Sequence, residues 1–365
     1  MTKIRDIISY LEETAPLAYQ ESYDNAGLIV GDAGATVTGV LTCLDITEAM
    51  LAEAQAQHCN LIIAHHPIIF QPIKKLTHSS YAERCIIQAI KQDIALYAIH
   101  TNLDNIPQGV NKRLAQALNL QQPAILSPKT GILSQLTTFV PPTSLEPVLQ
   151  ALHQAGAGHI GNYTHCSFVS TGIGSFQPIE GAQPYIGNPG HITTATEQRV
   201  EVTFPTYLTT AILAALKQVH PYEEAAYYIQ PLENSYPQVG AGMVGTLPQA
   251  LPSSKFLQYL KTQLDLTHVR HSAPIARPIQ KVALCGGAGS KLLPEALRQQ
   301  ADAFLTADVK YQDFFSAADH VLLADIGHYE SEIVTKNLIH DWLSAKFASV
   351  NILGCKTVTN PVHYL

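Results

Sequence analysis

The sequence predicts a discontinuous outer α/β domain with a largely parallel sheet, interrupted by an inserted ferredoxin-like α+β domain. Three observations lead there. Short apolar runs alternate with amphipathic stretches in the outer parts of the 365-residue chain. A strand–helix–strand pattern occurs twice in the middle. Turn-rich segments separate the two regimes, at Ser127-Pro128-Lys129-Thr130-Gly131 and at 240–245.

In chain order, Ile4, Ile7, Ile8 and Leu11 keep helical spacing within a charged start, so a helix opens the chain and no signal peptide is expected. The runs 39–44, 61–64 and 94–99 read as buried strands, most followed by a helical pattern, as a parallel sheet requires. The middle reads as strand 133–140, helix 144–154 and strand 165–171. Strand 199–204, helix 209–219 and strand 225–230 follow, giving the ferredoxin-like plan. Between the two sets, the Gly/Pro-rich stretch 172–190 reads as a hairpin or long loop. The runs 282–285, 303–306 and 321–324 return to the α/β pattern. The expected domains are 1–127 and 246–365 for the outer part, and 128–245 for the insert.

Composition narrows the function. Hydrophobic residues make up 46% and charged residues 14%, which favours a large core over disorder. The net charge is -7, with no Lys/Arg run, which argues against direct nucleic-acid binding. Six scattered cysteines without a C-x-x-C pair read as buried thiols in a reducing compartment. No apolar run is long enough to cross a bilayer. The expectation is a cytoplasmic protein with no membrane partner.

Three strand ends carry metal-ligand residue types. In Ala64-His65-His66-Pro67, two imidazoles follow an apolar run, and Pro67 stops the ladder. Alone, the pair reads equally well as ordinary strand-end histidines. In His100-Thr101-Asn102-Leu103-Asp104-Asn105, an imidazole and a carboxylate follow another run. Alone, that segment reads better as a helix start capped by Asp104 or Asn105. In Gly327-His328-Tyr329-Glu330-Ser331-Glu332, the glycine permits a sharp turn into a helix. His328 and Glu332 then share one face as i and i+4, while Glu330 points elsewhere, toward solvent. Ligands in open α/β sheets gather beyond the carboxyl ends of strands, so the three ends can converge. Imidazole and carboxylate without thiolate suit Zn, Fe, Mn, Co or Ni. Five ligands (His65, His66, Asp104, His328 and Glu332) exceed what one catalytic ion needs. Two ions bridged by Glu332 fit better, at the usual separation of about 3.5–4 Å.

These segments, with Tyr23-Asp24-Asn25-Ala26-Gly27-Leu28, Gly286-Gly287-Ala288-Gly289-Ser290 and Thr359-Asn360-Pro361, resemble the NGG-interacting-factor-three-like family. Its members are also called dinuclear-metal-centre hexameric proteins and GTP cyclohydrolase type 2 homologues. The resemblance implies the same five metal ligands, two metal ions per chain and a toroidal homohexamer. It also implies an insert like the PII signalling and divalent-cation-tolerance proteins, to which 156–163 and 220–224 are similar. The sequence departs from the family pattern at Tyr23, where Trp is usual. It departs again at Thr306-Ala307-Asp308-Val309-Lys310-Tyr311-Gln312, where the usual run reads Thr-Gly-Asp-x-Lys-Tyr-His.

Other residues divide between chemistry and structure. His100 is expected beside the metals as an acid/base or orienting group. Asp45 could orient a ligand or cap a helix, the cap being preferred, and Asn25 is expected to contact substrate or turn the chain. The glycines of 285–290 offer an anion site or close strand–helix packing. The 220–224 run reads as a turn before it reads as a metal site. The expected function is a metal-dependent hydrolase acting on a purine nucleotide or similar small molecule. The alternative is a non-enzymatic metal-binding or regulatory hexamer whose insert senses a ligand or partner.

Overall fold

A computed structural model describes residues 1–364. The chain divides into two compact units, Met1–Ser127 with Gln238–Leu365, and Pro128–Pro237.

The outer unit is mixed α/β and holds two sheets, so its strands do not form the one sheet that the run spacing suggests. In the first, Ile352–Gly354, Val40–Cys43, Leu61–Ala64 and Ala95–Ala98 run parallel, and Gly27–Val30 closes the edge antiparallel. In the second, Ile279–Leu284, Ala303–Thr306 and Leu322–Asp325 run parallel. Arg270–His271 lies antiparallel at one edge, and Ser235–Leu251 and Gln121–Thr130 complete the other.

The parallel strands are short continuous apolar runs because both of their faces are covered. Alternation along the second sheet shows it. Val282, Leu284, Leu305, Leu322 and Ala324 pack with Leu114, Phe256 and Leu260 on one side. Ala283, Phe304 and Leu323 pack with Leu292, Leu293 and Ala296 on the other. The helix that opens the chain, Ile4–Thr14, buries Ile4, Ile7 and Leu11.

In the insert, the antiparallel strands lie in the order Phe168–Phe176, Thr193–Pro205, Leu133–Val140, Tyr227–Leu232. Numbered along the chain this is 2-3-1-4, the ferredoxin-like order. Helices Leu145–Gln154 and Thr209–Val219 supply Val148, Leu152, Ile212 and Leu216 to a core with Leu136, Val200, Val202 and Phe204. The Gly/Pro-rich stretch is part strand: pairing continues to Phe176 before the loop begins. The 240–245 glycines lie inside one 17-residue strand, Ser235–Leu251. Among the described residues, no helix is long and apolar enough to cross a membrane, and all six cysteines are free, four of them buried.

Candidate metal centre

The cluster forms where the carboxyl ends of the two parallel sheets meet. In the first sheet, Cys43 pairs with Ala64 and Ala64 with Ala98. Asp45, His65, His66 and His100 therefore leave neighbouring strands at one end. In the second, Thr306 pairs with Asp325, so Asp308 and the His328–Glu332 helix leave together. Gly327, at φ 84°, makes the turn into that helix.

His65 is completely buried. Its Nδ1 donates to the Ile99 carbonyl at 2.9 Å, which leaves Nε2 with a lone pair. That nitrogen lies 3.7 Å from Asp104 Oδ1 and 3.8 Å from Glu332 Oε1. His66 donates from Nδ1 to Asp45 Oδ1 at 2.7 Å and places Nε2 at 2.9 Å from Glu332 Oε2. His328 donates from Nδ1 to Asp308 Oδ2 at 2.6 Å, with Nε2 3.0 Å from the same Glu332 oxygen. His100 donates from Nδ1 to Asp24 Oδ1 at 2.8 Å, and its ring centroid lies 5.1 Å from that of His65 and 5.4 Å from that of His66. Each ring thus has its Nδ1 engaged from behind by a carbonyl or carboxylate.

Two glycines let the backbone close in. A Cβ on Gly287, at φ 61°, would lie 2.2 Å from Glu332 Oε1 and 3.4 Å from His328 Nε2. Its amide donates to Ser331 Oγ at 3.0 Å. On Gly327, a Cβ would lie 2.2 Å from Glu330 Oε2.

The electrostatics describe a site short of positive charge. Burial, and then the negative charge of Glu332, push Asp104 well above the usual carboxylate range. Burial also lowers the pKa of His65. Burial works against the charged forms of His66 and His328, but hydrogen bonds with Asp45 and Glu332 carry His66 to about 10. Glu332 and Asp308 carry His328 to about 9. For Glu332, burial is outweighed by His328, His65 and His66, which hold it well below the usual range. His65 Nε2 and Asp104 Oδ1 are buried without a hydrogen-bond partner. Buried polar atoms rarely go unsatisfied, and a cation between a neutral imidazole and two carboxylates satisfies both. These residues fit a divalent metal: three imidazoles and two carboxylates, each imidazole oriented by a group behind it.

The structure brings all five sequence-selected residues together, with His100 beside them. Asp104 does not cap its helix; it ends Thr101–Asp104, and the amide at the His100 N-cap position donates to Asn102 Oδ1. Asp45 is no cap either. Thr47 caps the helix Glu48–Ala56, and Asp45 instead accepts from His66 and from Thr359 Oγ1 at 2.6 Å. Glu330 is only partly exposed: it folds back over Gly327 and accepts from Asn360 Nδ2 at 3.1 Å. Asn25 donates to the Ile69 carbonyl at 2.7 Å, which makes it a chain tie. Sequence reasoning assigned no role to Asp24 or Asp308. Their signal was position, an acid in a quoted motif or just past a strand.

A cavity of about 350 Å³ opens over the cluster, with Tyr23, Phe70, Tyr81, His100 and Lys291 on its walls. The Lys291 ammonium sits 5.3 Å over the Tyr23 ring.

The profile of the family described as Duf34/NIF3 (NGG1p interacting factor 3) matches residues 2–361. A relative from Bacillus subtilis (strain 168), called "GTP cyclohydrolase 1 type 2 homolog", is 40% identical, with 99% of this chain and 98% of that protein covered. A crystal structure of a Bacillus cereus protein related to NIF3 superposes with a TM-score of 0.87 at 35% identity, covering 100% of this chain and 99% of that one. Staphylococcus aureus protein SA1388 superposes with a TM-score of 0.79 at 28% identity, again over 100% and 99% of the two chains.

Proposed function

The chain belongs to the Duf34/NIF3 family, and from that premise we propose that it is a dinuclear metal-dependent hydrolase acting on a purine nucleotide or a similar heterocyclic substrate. The observation that carries this reading is the division of Glu332 between two ligand groups. One is His66, His328 and Glu332; the other is His65, Asp104 and Glu332. A carboxylate whose two oxygens face different ligand sets is placed to bridge two ions. Zn, Fe, Mn, Co or Ni suits such donors. Bound ions would supply Lewis acidity and water acidified enough to react at neutral pH.

The chain's own residues do the rest. Asp24 holds His100 through Nδ1, which leaves the other ring nitrogen to take a proton from, or return one to, a substrate in the cavity. Tyr23, Phe70 and Tyr81 offer flat apolar walls to a heterocycle. Lys291 offers a cation to an anionic substituent. The relatives' name, which speaks of a GTP cyclohydrolase, agrees with hydrolysis of such a ring. Assembly as a homohexamer belongs to the same proposal, and sedimentation tests it.

The central test measures metal content and turnover on the same samples, against a nucleotide panel that includes GTP. Wild type is expected to carry about two ions per chain. Glu332→Ala is expected to lose most of both, and activity with them. His100→Ala is expected to keep its metal and lose about 10²–10⁴-fold in rate. Full metal occupancy in Glu332→Ala removes the bridge. Metal-loaded wild type inert on the whole panel favours a non-catalytic, regulatory metal protein.

A further inference from the structure

The inserted unit has a cavity of its own, about 360 Å³ in volume. Phe139 comes from the central sheet, and Phe176 from the end of the Phe168–Phe176 strand. Pro184 and Tyr185 belong to the following loop, and Tyr222 to the turn after the helix Thr209–Val219. The charged residues lining it, among the described residues, are Glu197, Glu223 and Glu224; no Lys, Arg or His takes part.

The walls are held in place. His220 accepts from the Tyr222 amide at Nδ1, at 3.1 Å, and donates from Nε2 to the Phe139 carbonyl, at 3.0 Å. Both ring nitrogens are thus engaged in tying the turn to the sheet. The Tyr222 hydroxyl donates to Glu197 Oε1 at 2.8 Å. The Tyr185 ring stands 5.8 Å from the Tyr222 ring, tilted by 45°. Glu223 accepts from the Gln183 amide at 2.8 Å and fixes the loop. Across the sheet, a Cβ on Gly174 would lie 2.2 Å from Glu197 Oε2, so the glycine makes room for that carboxylate.

The geometry points to a binding site for an organic ammonium ion with an apolar, aromatic-sized body. Aromatic faces attract cations through their quadrupole, and a carboxylate hydrogen-bonds an ammonium more strongly than it does a neutral donor. Glu197 and the Tyr185 and Tyr222 rings would receive the charge; Phe139, Phe176 and Pro184 would receive the body. An anion would meet three carboxylates without a counter-charge. The volume lies within the range of small-molecule sites, about 300–1,000 Å³.

The test is titration calorimetry on the full metal-loaded chain with phenethylamine, tryptamine and benzyltrimethylammonium. The neutral 2-phenylethanol and the anionic phenylacetate serve as counterparts. At least one amine is expected to bind, with the alcohol weaker by about tenfold or more and phenylacetate silent. Glu197→Gln, which keeps an acceptor for Tyr222, and Tyr185→Ala, at a residue that is 53% exposed, are each expected to weaken the amine by about tenfold or more. Neither should change metal content. The proposal is overturned if no amine binds, if alcohol and amine bind alike, or if Glu197→Gln binds like wild type. The last result would place the amine elsewhere, the acidic metal centre included.

Discussion

Every histidine of the proposed metal centre is gripped at Nδ1, and that arrangement sets how the site exchanges protons. In the metal-free protein, His66 and His328 lie at about 10 and about 9, above the ordinary 6.5. Folded values above unfolded ones mean that their ion pairs stabilise the metal-free fold fully below pH 6.5, and that this stabilisation is lost as pH rises through about 9–10. A metal must displace those protons. Loading at pH 7.5 is therefore expected to release at least two protons per chain, from His66 and His328, with Asp104 a further source because its carboxyl is also held well above the usual range, read as a dependence of calorimetric enthalpy on the ionisation enthalpy of the buffer. Metal uptake with no such dependence would contradict the protonated imidazoles. Four of the five proposed ligands were legible in the sequence, because His-His after an apolar run and His-x-x-x-Glu after a glycine turn are donor types at usable spacings, whereas the Asp104 segment alone read better as a helix start. Of the acids behind them, Asp45 was legible only as an alternative to a helix cap, and Asp24 and Asp308 were not legible. Asp24, Asp45 and Asp308 reach their histidines across 76, 21 and 20 positions, distances set by which strands are neighbours.

Among the elements, the turns matter as much as the strands they end. Most buried strands read correctly to within a residue or two, since a run such as Leu61-Ile62-Ile63-Ala64 has no other economical use than a doubly covered strand. The glycine turn at 285–290 stayed ambiguous because an anion cradle and a close approach need the same residue. The structure favours close approach: Gly287 lets its backbone lie against Glu332. Gly287→Ala would impose a side chain at φ 61°, costing about 1–2 kcal/mol, and would drive a methyl group to 2.2 Å from Glu332 Oε1. The expected outcome is a protein that remains folded by circular dichroism but retains under half its metal. Normal metal content would show that the turn can move aside.

At the scale of the whole molecule, the alternation of strands and helices announced α/β, and the doubled strand–helix–strand announced the insert. The sequence did not show that the outer strands divide into two sheets, because periodicity identifies a strand without naming its neighbours. Nor did it show that Ser235–Leu251 is one strand, since glycines at 240, 242 and 245 look like a turn until a partner strand demands close backbone contact. That contact is visible: a Cβ on Gly242 would lie 2.8 Å from the Leu284 carbonyl, and one on Gly245 would lie 3.1 Å from the Gln121 carbonyl. Gln121–Thr130 and Ser235–Leu251 are neighbours in the second sheet. The chain therefore leaves the outer unit and returns to it on adjacent strands, the arrangement in which an inserted domain is dispensable. The five proposed metal ligands all belong to the outer unit. Replacing residues 128–237 by a short Gly/Ser linker is expected to give a soluble protein with wild-type metal content. Its melting temperature should fall by no more than a few degrees, consistent with a loss of about 1 kcal/mol. The same protein should lose the binding of organic ammonium ions proposed for the insert. A soluble product without metal would mean that the insert helps to form the metal centre. An insoluble one would mean that the second sheet needs the insert to hold its outer pair of strands.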